Sequence, residues 1–70
     1  MLDLIFLKND LLGFMGTNME LYKRIIDRYS EYSDFNKIVV YNEDLIISTK
    51  QGNYYVDFNN DILIDIKEII

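Results

Sequence analysis

The chain has no cysteine, no histidine, no proline and no tryptophan, and only 3 glycines among its 70 residues. Without cysteine there is no disulfide framework, the device by which many small domains offset a thin core. Without cysteine or histidine a zinc staple lacks its ordinary ligands, and the usual nucleophile–base pairs of covalent catalysis are missing. With no proline and few glycines, no stretch reads as a linker, a low-complexity tract or a repeat. Long apolar runs are lacking too: each is broken within a few residues by Asp, Asn or Lys, far short of the ~20 residues a membrane-spanning helix needs. The opening MLDLIFLKND has no basic region ahead of its apolar run and carries Asp3 inside it, so a secretory signal is not expected. These absences point to a soluble, cytoplasmic protein without cofactor or metal.

What is present is greasy and acidic. A chain of 70 residues is one domain, residues 1–70. Such a body buries only about 60% of the surface its unfolded form exposes, and its core is expected to supply no more than roughly 3–5 kcal/mol of net stability. Hydrophobic residues make up 50% of the chain, enough to leave apolar surface after the core is filled. The net charge is −5 and is uneven: residues 1–33 carry five acids against four bases, residues 34–70 seven against three. Nucleic-acid binding needs Lys and Arg to neutralise phosphates. An acidic surface instead repels nucleic acid and membranes and favours a basic protein surface.

The clearest element is a helix over residues 18–32. Thr17 followed by Glu20 has capping-box spacing. Met19, Tyr22, Ile25, Ile26, Tyr29 and Tyr32 follow the 3.6-residue period. The opposite face carries Glu20, Lys23, Arg24, Asp27 and Glu31, with Glu20–Arg24 and Lys23–Asp27 as i,i+4 pairs. Beyond Asp34 the period becomes two. KIVVY, LIISTK, YYVDF and ILIDIKEII read as strands separated by NED, QGN and NND, each of them turn chemistry. Requiring apolar residues to share a face sets the register: Phe58 opposite Ile62, Val56 opposite Ile64 and Tyr54 opposite Ile66, around the loop Asn59-Asn60-Asp61. In the middle hairpin Leu45 faces Phe58 and Ile47 faces Val56. In the first hairpin, either Ile38 and Val40 or Val39 and Tyr41 face the core. LDLIFL reads as a strand or as the start of a short helix through Leu12, with the strand favoured. The expected class is α+β: one amphipathic helix on a small antiparallel sheet, in the order β-α-β-β-β-β with the first strand open.

Residues 57–68, DFNNDILIDIKE, have the acid spacing of an EF-hand calcium loop at Asp57, Asn59, Asp61 and Glu68. Ile62, however, stands where that loop turns on glycine, and the flanks alternate as strands. The calcium reading is therefore a remote alternative. Ser30, Ser33 and Ser48 lie in no nucleophile-elbow pattern. Asp57 and Asp65 are candidates for an acid–base pair, on a body with little concavity to perturb them, and no enzyme activity is expected.

The more informative feature is the sheet face turned away from the helix. The expected register puts Ile46, Ser48, Tyr55, Asp57, Leu63, Asp65, Lys67 and Ile69 there, with Tyr55 opposite Asp65 and Ile46 opposite Asp57. Aromatic and aliphatic groups among carboxylates suit a protein interface, where the former anchor and the latter select. Tyr55, Asp57, Asp65, Glu43, Asp44, Ile46 and Leu63 are the candidate partner-binding residues. The expected partner is a larger protein with a basic surface, bound without direct nucleic-acid contact. In size, charge and expected architecture the chain resembles the small acidic proteins phages make against host nucleases and defence complexes, anti-CRISPR proteins among them. Abundant Ile, Asn, Asp and Tyr agree with an AT-rich coding sequence. No motif carries that likeness, so no family is named. It implies an inhibitor, acting in the host cytoplasm, whose carboxylates mimic nucleic-acid phosphates. The alternatives are an obligate homo-oligomer, a homodimer included, or a small subunit of a larger assembly.

Overall fold

Two short acceptor side chains, Asp3 and Thr17, start the two helices. In the computed structural model, which describes residues 1–69, Asp3 Oδ1 accepts the Phe6 N–H at 2.9 Å and opens α1, Leu4–Leu11. Thr17 Oγ1 accepts the Glu20 N–H at 3.2 Å while Glu20 Oε1 accepts the Thr17 N–H at 3.0 Å. This reciprocal box opens α2, Asn18–Tyr29, as its spacing required. Four strands follow: β1, Phe35–Tyr41; β2, Asp44–Thr49; β3, Gly52–Asn59; and β4, Ile62–Ile69. They form one antiparallel meander in the order β1-β2-β3-β4. Both helices pack on one face of it, α1 against β4 and α2 against β1 and β2. The class is α+β, as expected.

The favoured N-terminal strand is corrected to a helix. The physical reason is the spacing of Leu7 and Leu11, one turn apart, which seats both in the core behind the Asp3 cap. α2 stops at Tyr29, short of Tyr32, where the Tyr32 N–H turns back to the Tyr29 carbonyl at 2.9 Å. Its buried stripe is Leu21, Ile25 and Tyr29. Leu21 was absent from the expected stripe, and Met19, which was in it, is 64% exposed. The expected Glu20–Arg24 and Lys23–Asp27 pairs are replaced, among the described residues, by Lys8–Asp65, Arg28–Asp10 and Lys67–Asp57.

The core is one cluster of leucines, isoleucines, Val56, Tyr29 and Tyr54 between helices and sheet. Thr49 is the buried polar residue at its end, and its hydroxyl donates to the Leu2 carbonyl at 3.3 Å. Leu45, Ile47, Tyr54 and Val56 share the core face, as their alternation required. Their pairing is shifted by two residues: Leu45 faces Val56 and Ile47 faces Tyr54. In the first hairpin Ile38 pairs with Ile47 and Val40 with Leu45, so these two take the core face and Val39 and Tyr41 point away.

The last hairpin departs further. Phe58 pairs with Leu63 and Asp57 with Asp65, which leaves Ile64 as an extra residue on β4. Such a bulge changes which side chains face inward. Leu63 and Ile66 are buried, whereas Ile62 and Ile64, expected inside, are 38% and 50% exposed. The turn is Asn60-Asp61 with both residues at positive φ, the mirror-image turn that matches strand twist.

Candidate docking surface

With both helices on one side, the other side of the sheet is bare among the described residues, and the pairing fixes what it presents. One row across the strands reads Val39, Ile46, Tyr55, Lys67, and the next reads Lys37, Ser48, Asn53, Ile69. Tyr41 and Asp44 close the surface at one end, beside the Asp57–Asp65 pair. A shallow depression of about 440 Å³ lies between the first two rows, lined by Lys37, Val39, Ile46, Ser48, Asn53 and Ile69. Val39, Ile46 and Tyr55 are half-buried there.

Of the seven residues singled out from sequence, five come together here: Asp44, Ile46, Tyr55, Asp57 and Asp65. Their neighbours differ from expectation. Tyr55 faces Lys67 instead of Asp65, and Ile46 faces Tyr55 instead of Asp57. Glu43 lies in the β1–β2 turn, where its carbonyl accepts from the Asn18 side chain. Leu63 is corrected: the bulge at Ile64 turns it into the core, 1% exposed, and it offers nothing to a partner. Sequence reasoning missed Val39 and Tyr41, because the phase of the first strand was open. The unbroken apolar run from Ile38 to Tyr41 allows either phase, and the packing of α2 on one side decides it.

The carboxylates of the surface are partly neutralised. Lys67 Nζ lies 3.5 Å from Asp57 Oδ2, and Lys8 Nζ, reaching from α1, lies 3.5 Å from Asp65 Oδ1. Exposed pairs of this kind contribute little stability, about 0–1 kcal/mol, but they remove free negative charge. The Ile66 N–H donates to Asp65 at 2.9 Å, and this bond, helped by Lys8, holds the Asp65 carboxyl below the usual carboxylate range. Asp65 is therefore an ionised acceptor at neutral pH, suited to ion pairing and not to proton donation. Desolvation in the sheet raises the Tyr55 phenol, and the Asp44 and Asp57 carboxylates add to the shift. It stays a neutral hydrogen-bond donor throughout the physiological range.

Comparison with protein-family models, curated proteins and solved structures finds no match. The geometry alone therefore bears on function. The calcium-like spacing of residues 57–68 is spread along a hairpin, with Glu68 opposite Tyr54, several pairs away from Asp57. Among the described residues, no group of three acidic side chains is placed to hold a metal ion.

A second concavity lies on the helix side. Met19, Tyr22, Val40 and Leu45 line a largely apolar groove of about 580 Å³ between the start of α2 and the β1–β2 hairpin, with Thr17, Asn18 and Glu43 at its rim. Met19 and Val40 there are 64% and 61% exposed.

Proposed function

We propose that this chain is a small protein-binding module that docks through its bare sheet face, without chemistry of its own. The observation that carries the reading is the row Val39–Ile46–Tyr55–Lys67, where aliphatic, aromatic and charged groups stand side by side on a rigid sheet. An anchor aromatic among aliphatics, with charges that choose orientation, is the composition of an interface centre. Strands hold these groups in fixed register, so little side-chain order is lost on binding.

In its finer form the module is an inhibitor of a larger, nucleic-acid-handling protein, of the phage anti-defence kind. That form is supported by the size and the net charge of −5. Phosphate mimicry in particular needs a run of free carboxylates. The Asp57–Lys67 and Asp65–Lys8 pairs subtract two from it, so contact by mixed apolar and ionic groups is favoured over pure charge mimicry. The alternative, a structural subunit or obligate oligomer, is supported by exposed Met15, Met19, Val40 and Tyr41.

Affinity capture from the native host, with wild type and the double variant Ile46→Glu/Tyr55→Ala side by side, tests the docking reading. A protein retained by wild type and lost from the variant, at unchanged circular dichroism, is the expected outcome. Equal retention by both chains would place the contact elsewhere.

A further inference from the structure

The chain treats the two edges of its sheet differently. At the β4 edge the connection between the helices lies alongside. The Leu63 N–H donates to the Phe14 carbonyl at 2.9 Å, the Gly13 N–H to the Leu63 carbonyl at 3.1 Å, and the Gly16 N–H to the Asp61 carbonyl at 2.9 Å. Beyond that cover, Asp65, Lys67 and Glu68 charge the strand. The β1 edge has no such cover: among the described residues, β2 is its only strand neighbour. Natural proteins blunt a free edge with lysines and bulges. Here Lys37 and the bulge between Phe35 and Lys37 both sit at the beginning of β1, which leaves residues 38–41 regular and apolar. Val40 and Tyr41 in that stretch are 61% and 64% exposed.

The backbone of this stretch is aimed outward in a defined phase. Tyr41 and Asp44 flank the two-residue turn Asn42-Glu43 and so form the hydrogen-bonded pair that closes the hairpin. Alternation along an antiparallel ladder then turns the N–H and C=O groups of Ile38 and Val40 away from β2. Another extended strand can take the place of water along such a row.

We propose that β1 pairs antiparallel with β1 of a second copy about a two-fold axis at Val39, joining two four-stranded sheets into one continuous sheet. In this register Ile38 of each copy faces Val40 of the other, so the outward groups of both strands bond each other. The charges also fit. Lys37, the one charged residue of β1, comes to lie opposite Tyr41 of the second copy, with Asp44 next in the same row. The cation meets an aromatic face and then a carboxylate, and the two-fold axis makes the contact twice. Val40 also lines the apolar groove on the helix side, so the same contact covers apolar surface together with backbone. The docking face of each copy stays open, and the two faces run on into a single surface twice as wide. An edge contact this short is at the small end of specific interfaces, with a dissociation constant on the order of 10 μM.

The chain has no cysteine, so an introduced thiol reports one position cleanly. Residues facing each other in a non-hydrogen-bonded pair have Cα atoms about 4.5 Å apart, within reach of a disulfide. With oxidised glutathione, which is reduced to two glutathione molecules as each bridge forms, Val39→Cys is expected to yield a covalent dimer. Ile46→Cys, in the middle of the same face and away from the β1 edge, is expected to give no covalent dimer under the same conditions. Sedimentation should show wild type largely dimeric at about 200 μM, some twenty times the expected constant. Val40→Lys should be monomeric there with an unchanged circular dichroism spectrum. A wild type that stays monomeric at that concentration overturns the proposal. Bridging through Ile46→Cys in preference to Val39→Cys also overturns it, in favour of sheets stacked face to face, as does a Val40→Lys chain that dimerises like wild type.

Discussion

Asp10 does more for this fold than its place on a helix surface suggests. Its two oxygens reach two neighbours on α2: Oδ1 accepts from Arg28 at 2.8 Å, and Oδ2 accepts from the Tyr29 hydroxyl. Tyr29 is 1% exposed and packs against Phe6, Tyr32 and Phe35, and burial with the adjacent carboxylate pushes its phenol far above the usual range. The two bonds differ in worth because Arg28 is half-exposed. Tyr29→Phe should cost about 1.5–3 kcal/mol, the value of a shielded bond to a charged acceptor, and Arg28→Ala under about 1 kcal/mol. Urea unfolding of both variants checks this, and equal losses would contradict it. Asp34 makes the second tie that spans the sequence, accepting the Leu2 N–H at 2.7 Å. That bond holds its carboxyl below the usual carboxylate range. A depressed folded-state value means that the stabilisation is present above the ordinary range, near pH 4, and is lost as pH falls through the depressed one. The urea midpoint of wild type should therefore drop between pH 5 and pH 2. Asp34→Asn should start lower at neutral pH and drop less, and an equal drop would show that Asp34 is not the source.

The elements that could be read from the chain were those with a local cause. The start of α2 followed from Thr17 and Glu20, and the shared face of Leu45, Ile47, Tyr54 and Val56 followed from simple alternation. α1 was obscured because LDLIFL satisfies both periods. Asp3 as a cap ahead of Leu4, Leu7 and Leu11 was the signal that separates them. The bulge at Ile64 had no local signal. In ILIDI either Leu63 or its neighbours can face inward, and only packing against the helices selects Leu63 and Ile66 together. The turns carry a conflict of their own. Glu43 has φ of 72°, a left-handed conformation that glycine adopts freely and glutamate does not. Its role in the Asn18 contact is through its backbone carbonyl, which glycine keeps. Glu43→Gly is therefore expected to raise stability by about 0.5–1 kcal/mol in urea unfolding, and a loss would mean that the side chain itself supports the turn.

Taken whole, the molecule is a two-layer body with its helices spent on one side and a mixed surface left on the other. The candidate docking groups were legible as types and only partly as places: Asp44, Ile46, Tyr55, Asp57 and Asp65 share the bare face, while Leu63 lies inside and Val39 outside. In the proposed docking, the net charge of −5 would steer a basic partner toward the molecule from a distance, and aliphatic and aromatic groups would make the close contact. The most direct measurement places a photo-crosslinking phenylalanine analogue at Tyr55 and, separately, at Asp27 on the solvent side of α2, in cells of the native host. A discrete adduct larger than a dimer of the chain, formed from position 55 and lost when Ile46→Glu is added, is expected. An adduct formed only from position 27, or from neither position, would contradict docking through the sheet face.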